Sequence, residues 1–483
     1  MSRFTRVIKG EMWVMVMGCV FKHHVYLCVV STAMLAGLSL ITSHTKVYAQ
    51  QTNCGTVDST GDVVNEPIVC DRSGTMVLNT SSSGRGNKIE IKMSKHSDKE
   101  AVKIMGGADI IAIKKLTVTV TGWNGKGPVI KVDGGGKLTL KGGVEVTGVV
   151  KGVEKVIEVN GGGELMLMGK STIKVDGSGG NGKVVGVQMG SMEKLMMMRD
   201  VTFEGVTEGI NINGSKEGVM VMGLGTGTMT VNGKGSVGIK VEGSGSIDAT
   251  VMRLKIVGDR SGGKGVVMGM GGTLNMTSVG ISGFETGVSA SGKGMVEMMG
   301  NSTITFKGGT GLSVSGEANA TMIGGKIVGD GSGTGTGVVM GSTGMVMLNM
   351  VNISDVRGSG GGTGKYGVQM TGEGTMVLMG GSIMGFETGV EATAGTLKMM
   401  GGTAITVTSG GTGLEVKGEA MATLMGGTTI KGDGKGYGVK MGSSKTLKMM
   451  GEVGISNVGM GVEVKSGTVE MSGVGISQVE KGV

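Results

Sequence analysis

The chain has 483 residues, of which 102 are Gly, and its 46 Lys and Arg outnumber 38 Asp and Glu to give a formal net charge of +8. This Gly content is roughly three times ordinary usage, and it excludes a helical protein because each interior Gly costs a helix about 1 kcal/mol relative to Ala. The 2 Pro and the lack of a G-X-Y period exclude collagen. With 39% apolar and 17% charged residues and a mean hydropathy of +0.18, the chain is too hydrophobic to be disordered.

Residues 1–49 have the organisation of a secretory signal peptide. A basic region over 1–24 precedes an apolar run over 25–41, and Val47 and Ala49 place small residues at the third-last and last positions before the expected cleavage site between Ala49 and Gln50. An uncleaved membrane anchor is the alternative, although this run is at the short end for a span. The rest of the chain has a net charge of +4 with scattered Lys residues, which gives no nucleic-acid footprint.

Internal repeats are the strongest signal in the sequence. VIKVDGGGKLTLKGG at 129–143 returns as VIEVNGGGELMLMGK at 156–170, and GFETGV at 283–288 returns 102 residues later at 385–390. Four smaller units of 21 to 29 residues fill the 102-residue repeat. Periods of this size predict a solenoid.

One unit shows how a coil is built. Residues 396–399, 404–408 and 414–417 each alternate apolar and polar side chains, as a short half-buried strand does, and Gly-rich corners separate them. Three strands per coil predict an all-β, right-handed parallel β-helix of about 15–17 coils over residues 101–483. The abundant Met, including Met399, Met400, Met449 and Met450, is interpreted as filler of the core. Soft-metal binding is the alternative interpretation.

Residues 50–100 lack the repeat and are predicted to form an N-terminal cap over the first open strand edge. This segment holds Cys54 and Cys70, which are the Cys residues left after cleavage. In an oxidising compartment we expect them to form a disulfide, and two free thiols are the alternative.

The sequence offers no catalytic, cofactor-binding or metal-binding residues, and we expect no enzymatic activity and no cofactor. His96 is the one His outside the signal segment, and it is interpreted as a loop residue. Asp259, Asp330 and Asp433 recur in Asp-Gly-type turns but are several coils apart, too far to share an acid/base site. They are therefore predicted to stabilise turns.

The long signal, the short Cys-bearing segment and the Gly-rich coils with GTLxMxGG-type punctuation resemble the passenger domains of Gram-negative autotransporters. FKHHVYLCVVSTAMLAGLSLITSHTKVYAQ at 21–50 is the most specific part of this resemblance. It implies export through the inner membrane by the secretion machinery, display at the outer-membrane surface or secretion, and a translocating β-barrel that is separate or missing.

The expected function is a non-enzymatic adhesin or rigid stalk that contacts host cell-surface or matrix molecules. Its binding surface would be the outward Thr, Lys and Glu side chains and the longer turns at 258–265 and 329–337. A carbohydrate-active β-helix lyase or hydrolase is the first alternative, and three or more outward Asp, Glu or Arg on adjacent coils would favour it. A truncated autotransporter remnant without function is the second.

Overall fold

The structure, a computed structural model, describes residues 63–64, 67–78, 88–93, 99–120, 127–149, 153–176, 182–214, 218–225, 227–243, 245–269, 271–331, 335–355 and 364–483. These residues form parallel β-strands joined by turns, without helices. The all-β parallel solenoid predicted from the repeats is therefore confirmed.

The first half of the strand series is β1 (Val63–Val64), β2 (Ile68–Cys70), β3 (Gly74–Leu78), β4 (Lys88–Lys92), β5 (Val102–Ile104), β6 (Ala108–Ala112), β7 (Lys115–Thr119), β8 (Ile130–Val132), β9 (Lys137–Leu140), β10 (Val144–Val149), β11 (Lys155–Val159), β12 (Glu164–Leu167), β13 (Ser171–Val175), β14 (Val185–Met189), β15 (Lys194–Met197), β16 (Val201–Glu204), β17 (Glu208–Asn213), β18 (Val219–Gly223), β19 (Thr228–Asn232), β20 (Val237–Glu242), β21 (Ile247–Met252) and β22 (Lys255–Gly258).

The second half is β23 (Lys264–Met268), β24 (Gly272–Thr277), β25 (Gly280–Ala290), β26 (Met295–Met299), β27 (Thr303–Gly316), β28 (Asn319–Ile323), β29 (Lys326–Gly329), β30 (Thr336–Ser342), β31 (Met345–Asn349), β32 (Asn352–Asp355), β33 (Gly364–Met370), β34 (Thr375–Met379), β35 (Ser382–Met384), β36 (Phe386–Ala392), β37 (Thr396–Met400), β38 (Ala404–Thr406), β39 (Thr412–Gly418), β40 (Met421–Met425), β41 (Thr429–Lys431), β42 (Tyr437–Ser443), β43 (Thr446–Val464) and β44 (Thr468–Lys481).

Each strand pairs in parallel with its equivalent one coil along the chain, which gives the solenoid three sides. Side A begins β1, β4, β7; side B begins β2, β5, β8; side C begins β3, β6, β9. The solenoid has about 13 turns, fewer than the 15 to 17 coils expected from the sequence. In β25 and β27 the strands of two sides run together as one long strand, and in β43 and β44 the strands of all three sides do so.

The core follows from the alternation of side chains along each strand. In β37, Leu397 and Met399 are fully buried and Lys398 is exposed, as expected from the sequence. Leu397 lies in register between Met376 and Ala422 of the neighbouring coils, so inward side chains stack into ladders.

Aromatic side chains take part in this core. Phe203, Phe284, Phe306 and Phe386 are all among the largest fully buried side chains. Each lies on a strand of side A or at the point where side A leads into side B. Phe residues therefore fill selected layers of the interior, while aliphatic side chains fill the others.

The expectation that Met fills the core is wrong for half of the residues quoted for it. Met399 and Met449 are fully buried, but Met400 is half-buried and Met450 is 39% exposed. The reason is the period of two along a strand, which sends consecutive side chains to opposite faces. A Met-Met pair therefore places one thioether inside and one outside.

A column of Gly residues runs along side B, at the second or fourth position of β30, β33, β36, β39 and β42 and in the side-B part of the long strands β25 and β27. Gly287, Gly311, Gly337, Gly367, Gly389, Gly413 and Gly438 belong to it. None of them has a positive φ. At Gly389 a Cβ would lie 2.4 Å from the Cγ2 methyl of Ile405 and 2.7 Å from the carbonyl oxygen of Gly413. This glycine column thus serves close packing between side A and side B, and is not turn punctuation.

The parallel stack begins inside the segment that the sequence assigns to the N-terminal cap. Strands β2 and β3 pair in register with β5 and β6, and β4 pairs with β7. The described residues of 50–100 therefore contribute rungs to the solenoid. Cys70 is 2% exposed and disulfide-bonded, whereas Cys54, Ala49, Gln50 and the signal segment lie outside the described residues.

Candidate functional site

A row of polar side chains follows side B over five successive strands. Lys131, Glu158, Gln188, Asn211 and Lys240 pair in register from β8 to β20 and point outward. Because parallel strands lie about 4.8 Å apart, successive side chains of this polar row are within hydrogen-bonding reach. The row presents donors and acceptors of both charge signs on one surface.

Two Glu residues on adjacent coils, Glu208 and Glu242, form ion pairs with Lys240, the last residue of the polar row. The Lys240 Nζ lies 3.0 Å from a carboxylate oxygen of Glu208 and 2.6 Å from one of Glu242. Lys183 contacts the same two carboxylates, at 3.2 Å from Glu208 and closer to Glu242. Two ammonium groups and two carboxylates thus form one closed network.

Asn211 connects this ion-pair network to the polar row. Its side chain is fully buried, and its Nδ2 donates to Glu242 Oε1 at 2.6 Å and to Glu208 Oε2. Its Oδ1 accepts a hydrogen bond of 3.0 Å from Gln188 Nε2. A buried amide with all these partners is held in one orientation, since losing a partner would leave a desolvated polar group.

Glu242 and Lys240 keep their charges at neutral pH. Burial raises the pKa of Glu242, but the hydrogen bonds from Lys183, Lys240 and Asn211 outweigh it and lower the pKa to about 2. Burial lowers the pKa of Lys240, and its hydrogen bonds to Glu242 and Glu208 outweigh that effect and raise the pKa. A carboxylate held ionised in this way cannot donate a proton as a general acid at neutral pH.

Beside the network, the described residues enclose a groove of about 920 Å³ across side B. The charged and polar residues on its walls include Lys155, Glu158, Asp176, Lys183, Gln188 and Asn213. They come from three successive coils, so the groove crosses the strands. It is therefore open to an elongated polar ligand that spans several coils.

Asp259 and Asp433, two of the Asp residues predicted to stabilise turns, accept hydrogen bonds from turn N–H groups. Asp259 Oδ1 accepts from the Ser261 N–H at 2.9 Å, and its Oδ2 accepts from the Gly233 N–H of the preceding coil, also at 2.9 Å. Asp433 Oδ1 accepts from the Lys435 N–H at 3.3 Å. The turn at 258–265 is fully described, while the turn at 329–337 is described only in part, and His96 lies outside the described residues.

Two features are absent from the residues that the structure describes. No three His, Cys, Asp or Glu side chains in the described ranges come together in a way that could hold a metal ion. Within the same ranges, no helix has the length and apolar character needed to cross a bilayer.

Comparison of the chain with known protein families, with curated proteins and with solved structures gives no match. Function is therefore inferred from the chain's own geometry. The sequence predicts outward Lys and Glu as the binding surface, but it does not single out Asn211 or Gln188. Their sequence position could have identified Asn211 and Gln188, because each directly follows the buried Ile or Val that comes after the side-B Gly.

Proposed function

We propose that the chain is a non-enzymatic, surface-displayed or secreted β-solenoid of the autotransporter-passenger type that acts as an adhesin. The groove across side B supports this proposal most directly. Its walls alternate lysines, carboxylates and amides over three coils, and an array of this kind suits an elongated polar ligand such as a host-surface glycan. The expected export signal at 1–49 is consistent with a role outside the cell.

The fixed geometry of the neighbouring network supports a binding role. Asn211 is fully buried and bonded to Gln188, Glu208 and Glu242, so Gln188 on the groove wall is already oriented before a ligand arrives. Pre-organised polar groups lose less side-chain entropy on binding than mobile ones. The groove would therefore recognise its ligand through the oriented amide and lysine groups on its walls.

The test is a binding screen of the full chain against immobilised host glycans and matrix proteins, repeated with Gln188→Ala. The matched control is Gln369→Ala. Gln369 takes the equivalent place in β33 and donates to Glu391 at 2.9 Å, yet it is not among the groove residues. We expect a ligand whose affinity falls about tenfold with Gln188→Ala and is unchanged with Gln369→Ala. Equal binding by all three chains would refute the groove as the contact surface.

A carbohydrate-active enzyme is the second candidate, and one observation favours it. Glu154, Glu158 and Asp176 all line the groove, so it carries three acidic residues, although they belong to one coil and not to adjacent coils as the sequence criterion requires. Glu158, however, contacts Lys155 and lies 3.7 Å from Lys131, so its carboxylate is engaged in ion pairs. We expect no cleavage of acidic or neutral polysaccharides. Cleavage that Glu158→Gln abolishes would establish the enzyme instead.

A further inference from the structure

A second outward row, on side C, consists largely of methionine. Met166, Met196, Met222 and Met252 pair in register on four successive strands, β12, β15, β18 and β21. The same position further along carries Met379 and Met400 in β34 and β37. It then carries Met425 and Met450 in β40 and β43, where these two pair directly.

The second group, Met379, Met400, Met425 and Met450, is here called the methionine row. Its side chains are half-buried, except for Met450, which is 39% exposed. Outward positions of a half-buried strand are normally polar, as at Lys398 and Lys448 of the same strands. The thioethers are thus placed on the surface, and core packing does not account for them.

The methionine row lines one concavity of about 580 Å³, together with Gly401, Gly426, Gly451 and Glu452. Gly401, Gly426 and Gly451 have φ values of 63°, 60° and 60°, so each follows a Met of the row in a left-handed turn that favours Gly. A Cβ on Gly401 would lie 3.2 Å from Cγ of Met379. The Gly residues therefore leave room for thioethers to lie across the turns.

The chemistry of this concavity matches soft metal ions. Its walls are thioethers and Gly backbone, with the Glu452 carboxylate as the one charged group among the lining residues. Strands lie about 4.8 Å apart, and Met has three rotatable bonds, so sulfur atoms from adjacent coils can approach a common point. Thioether ligands select soft ions such as Cu(I) over Zn²⁺, Mg²⁺ or Ca²⁺.

We propose that the methionine row binds a soft monovalent metal ion, Cu(I) or its analogue Ag(I), through thioethers from adjacent coils. Met400 and Met425 lie at the centre of the row and supply the central ligands, and Met379 and Met450 flank them. Glu452 contributes a negative charge at the edge of the site. This site lies on side C and does not depend on the groove of side B.

The test is calorimetric titration of the full chain with Ag(I) in chloride-free buffer, with Zn²⁺ as the negative control. The variant is Met400→Leu/Met425→Leu, which keeps apolar volume and removes the sulfur ligands. The matched control is Met196→Leu/Met222→Leu, two outward methionines of the other group, which do not line this concavity. We expect Ag(I) affinity to fall at least tenfold in the variant and to stay unchanged in the control.

A second measurement needs no substitution. Peroxide converts exposed Met to its sulfoxide, and a sulfur bound to Ag(I) is protected because the metal occupies its lone pair. Ag(I) should therefore slow the oxidation of Met400 and Met425. It should not slow that of Met384, which is 44% exposed on side A. Peptide mass analysis reads each site separately. Equal Ag(I) affinity in wild type and variant, equal losses in variant and control, or unprotected Met400 and Met425 would each overturn the proposal.

Discussion

Substitution of Gly389 by Ala tests whether the glycine column is a packing requirement. Gly389 lies within β36 and has no positive φ, so the backbone itself would accept Ala. The added methyl would lie 2.4 Å from Cγ2 of Ile405 and 2.7 Å from the carbonyl oxygen of Gly413. Both separations are well inside van der Waals contact. Ile405 is 1% exposed, so other core atoms surround it.

The magnitude follows from two opposing effects. Overpacking a buried site costs about 1–3 kcal/mol, whereas Gly→Ala at a compatible φ stabilises by about 0.4–1 kcal/mol because it reduces the freedom of the unfolded chain. We therefore expect Gly389→Ala to lower the free energy of unfolding by about 1–2 kcal/mol. Gly413→Ala should behave alike, since its Cβ would meet the Cγ2 methyl of Ile430 at 2.3 Å.

Gly280→Ala is the matched control. Gly280 also lies in a strand without a positive φ, but the nearest atom to its added Cβ is Cγ of Lys255 at 3.7 Å. This variant should be equal to or slightly more stable than wild type. Urea denaturation followed by far-UV circular dichroism gives the three free energies, with comparable slopes as the check on a common unfolded state. Equal stability of Gly389→Ala and Gly280→Ala would refute the steric role of the column.

Three further predictions concern the core, the ion-pair network and the N-terminal Cys residues. Leu397→Asp should bury an unpaired carboxylate and cost several kcal/mol, whereas Lys398→Asp, exposed on the same strand, should change stability by less than about 0.5 kcal/mol in thermal unfolding. The pKa of Glu242 falls from 4.5 to about 2 on folding, so its stabilising effect is complete above about pH 4.5 and is lost as the pH falls towards 2. Glu242→Gln should flatten the dependence of the free energy of unfolding on pH in that window. An unchanged pH dependence would contradict the pairing. Cys54 and Cys70 should form a disulfide that closes a short loop and stabilises the fold by roughly 3 kcal/mol. Intact-mass measurement should show a gain of two protons on reduction. Alkylation of both thiols without reductant would exclude the disulfide.

The coils could be predicted from the sequence because their signal is local. The alternation at 396–399 predicts which side chains of β37 are buried, and Leu397, Lys398 and Met399 follow it. The glycine column, in contrast, cannot be recognised from the sequence. Only the contact with Ile405 of side A shows that Gly389 is needed for its lack of a side chain.

The groove could not be predicted, because its contacts join coils of unequal length. Gln188 reaches Asn211 across 23 residues, but Asn211 reaches Glu242 across 31. No fixed period identifies such partners in advance. The strand register must first be known, and loop length then decides which outward side chains become neighbours. The burial of Asn211 likewise depends on the long side chains of adjacent coils, which are absent from its local sequence.

The glycine column also restricts how a chain of this kind can grow longer. Gly287 and Gly311 are 102 residues from Gly389 and Gly413, and all four lie in the column. The duplicated segment therefore has its Gly residues at equivalent positions of the solenoid. Recombination that adds complete coils renews the contact between each Gly and the isoleucine methyl of the next coil. An insertion within a strand of side A or side B would displace the Gly from that contact, whereas the turns accept coils of unequal length, so lineages carrying this fold should differ in length by whole coils or within turns.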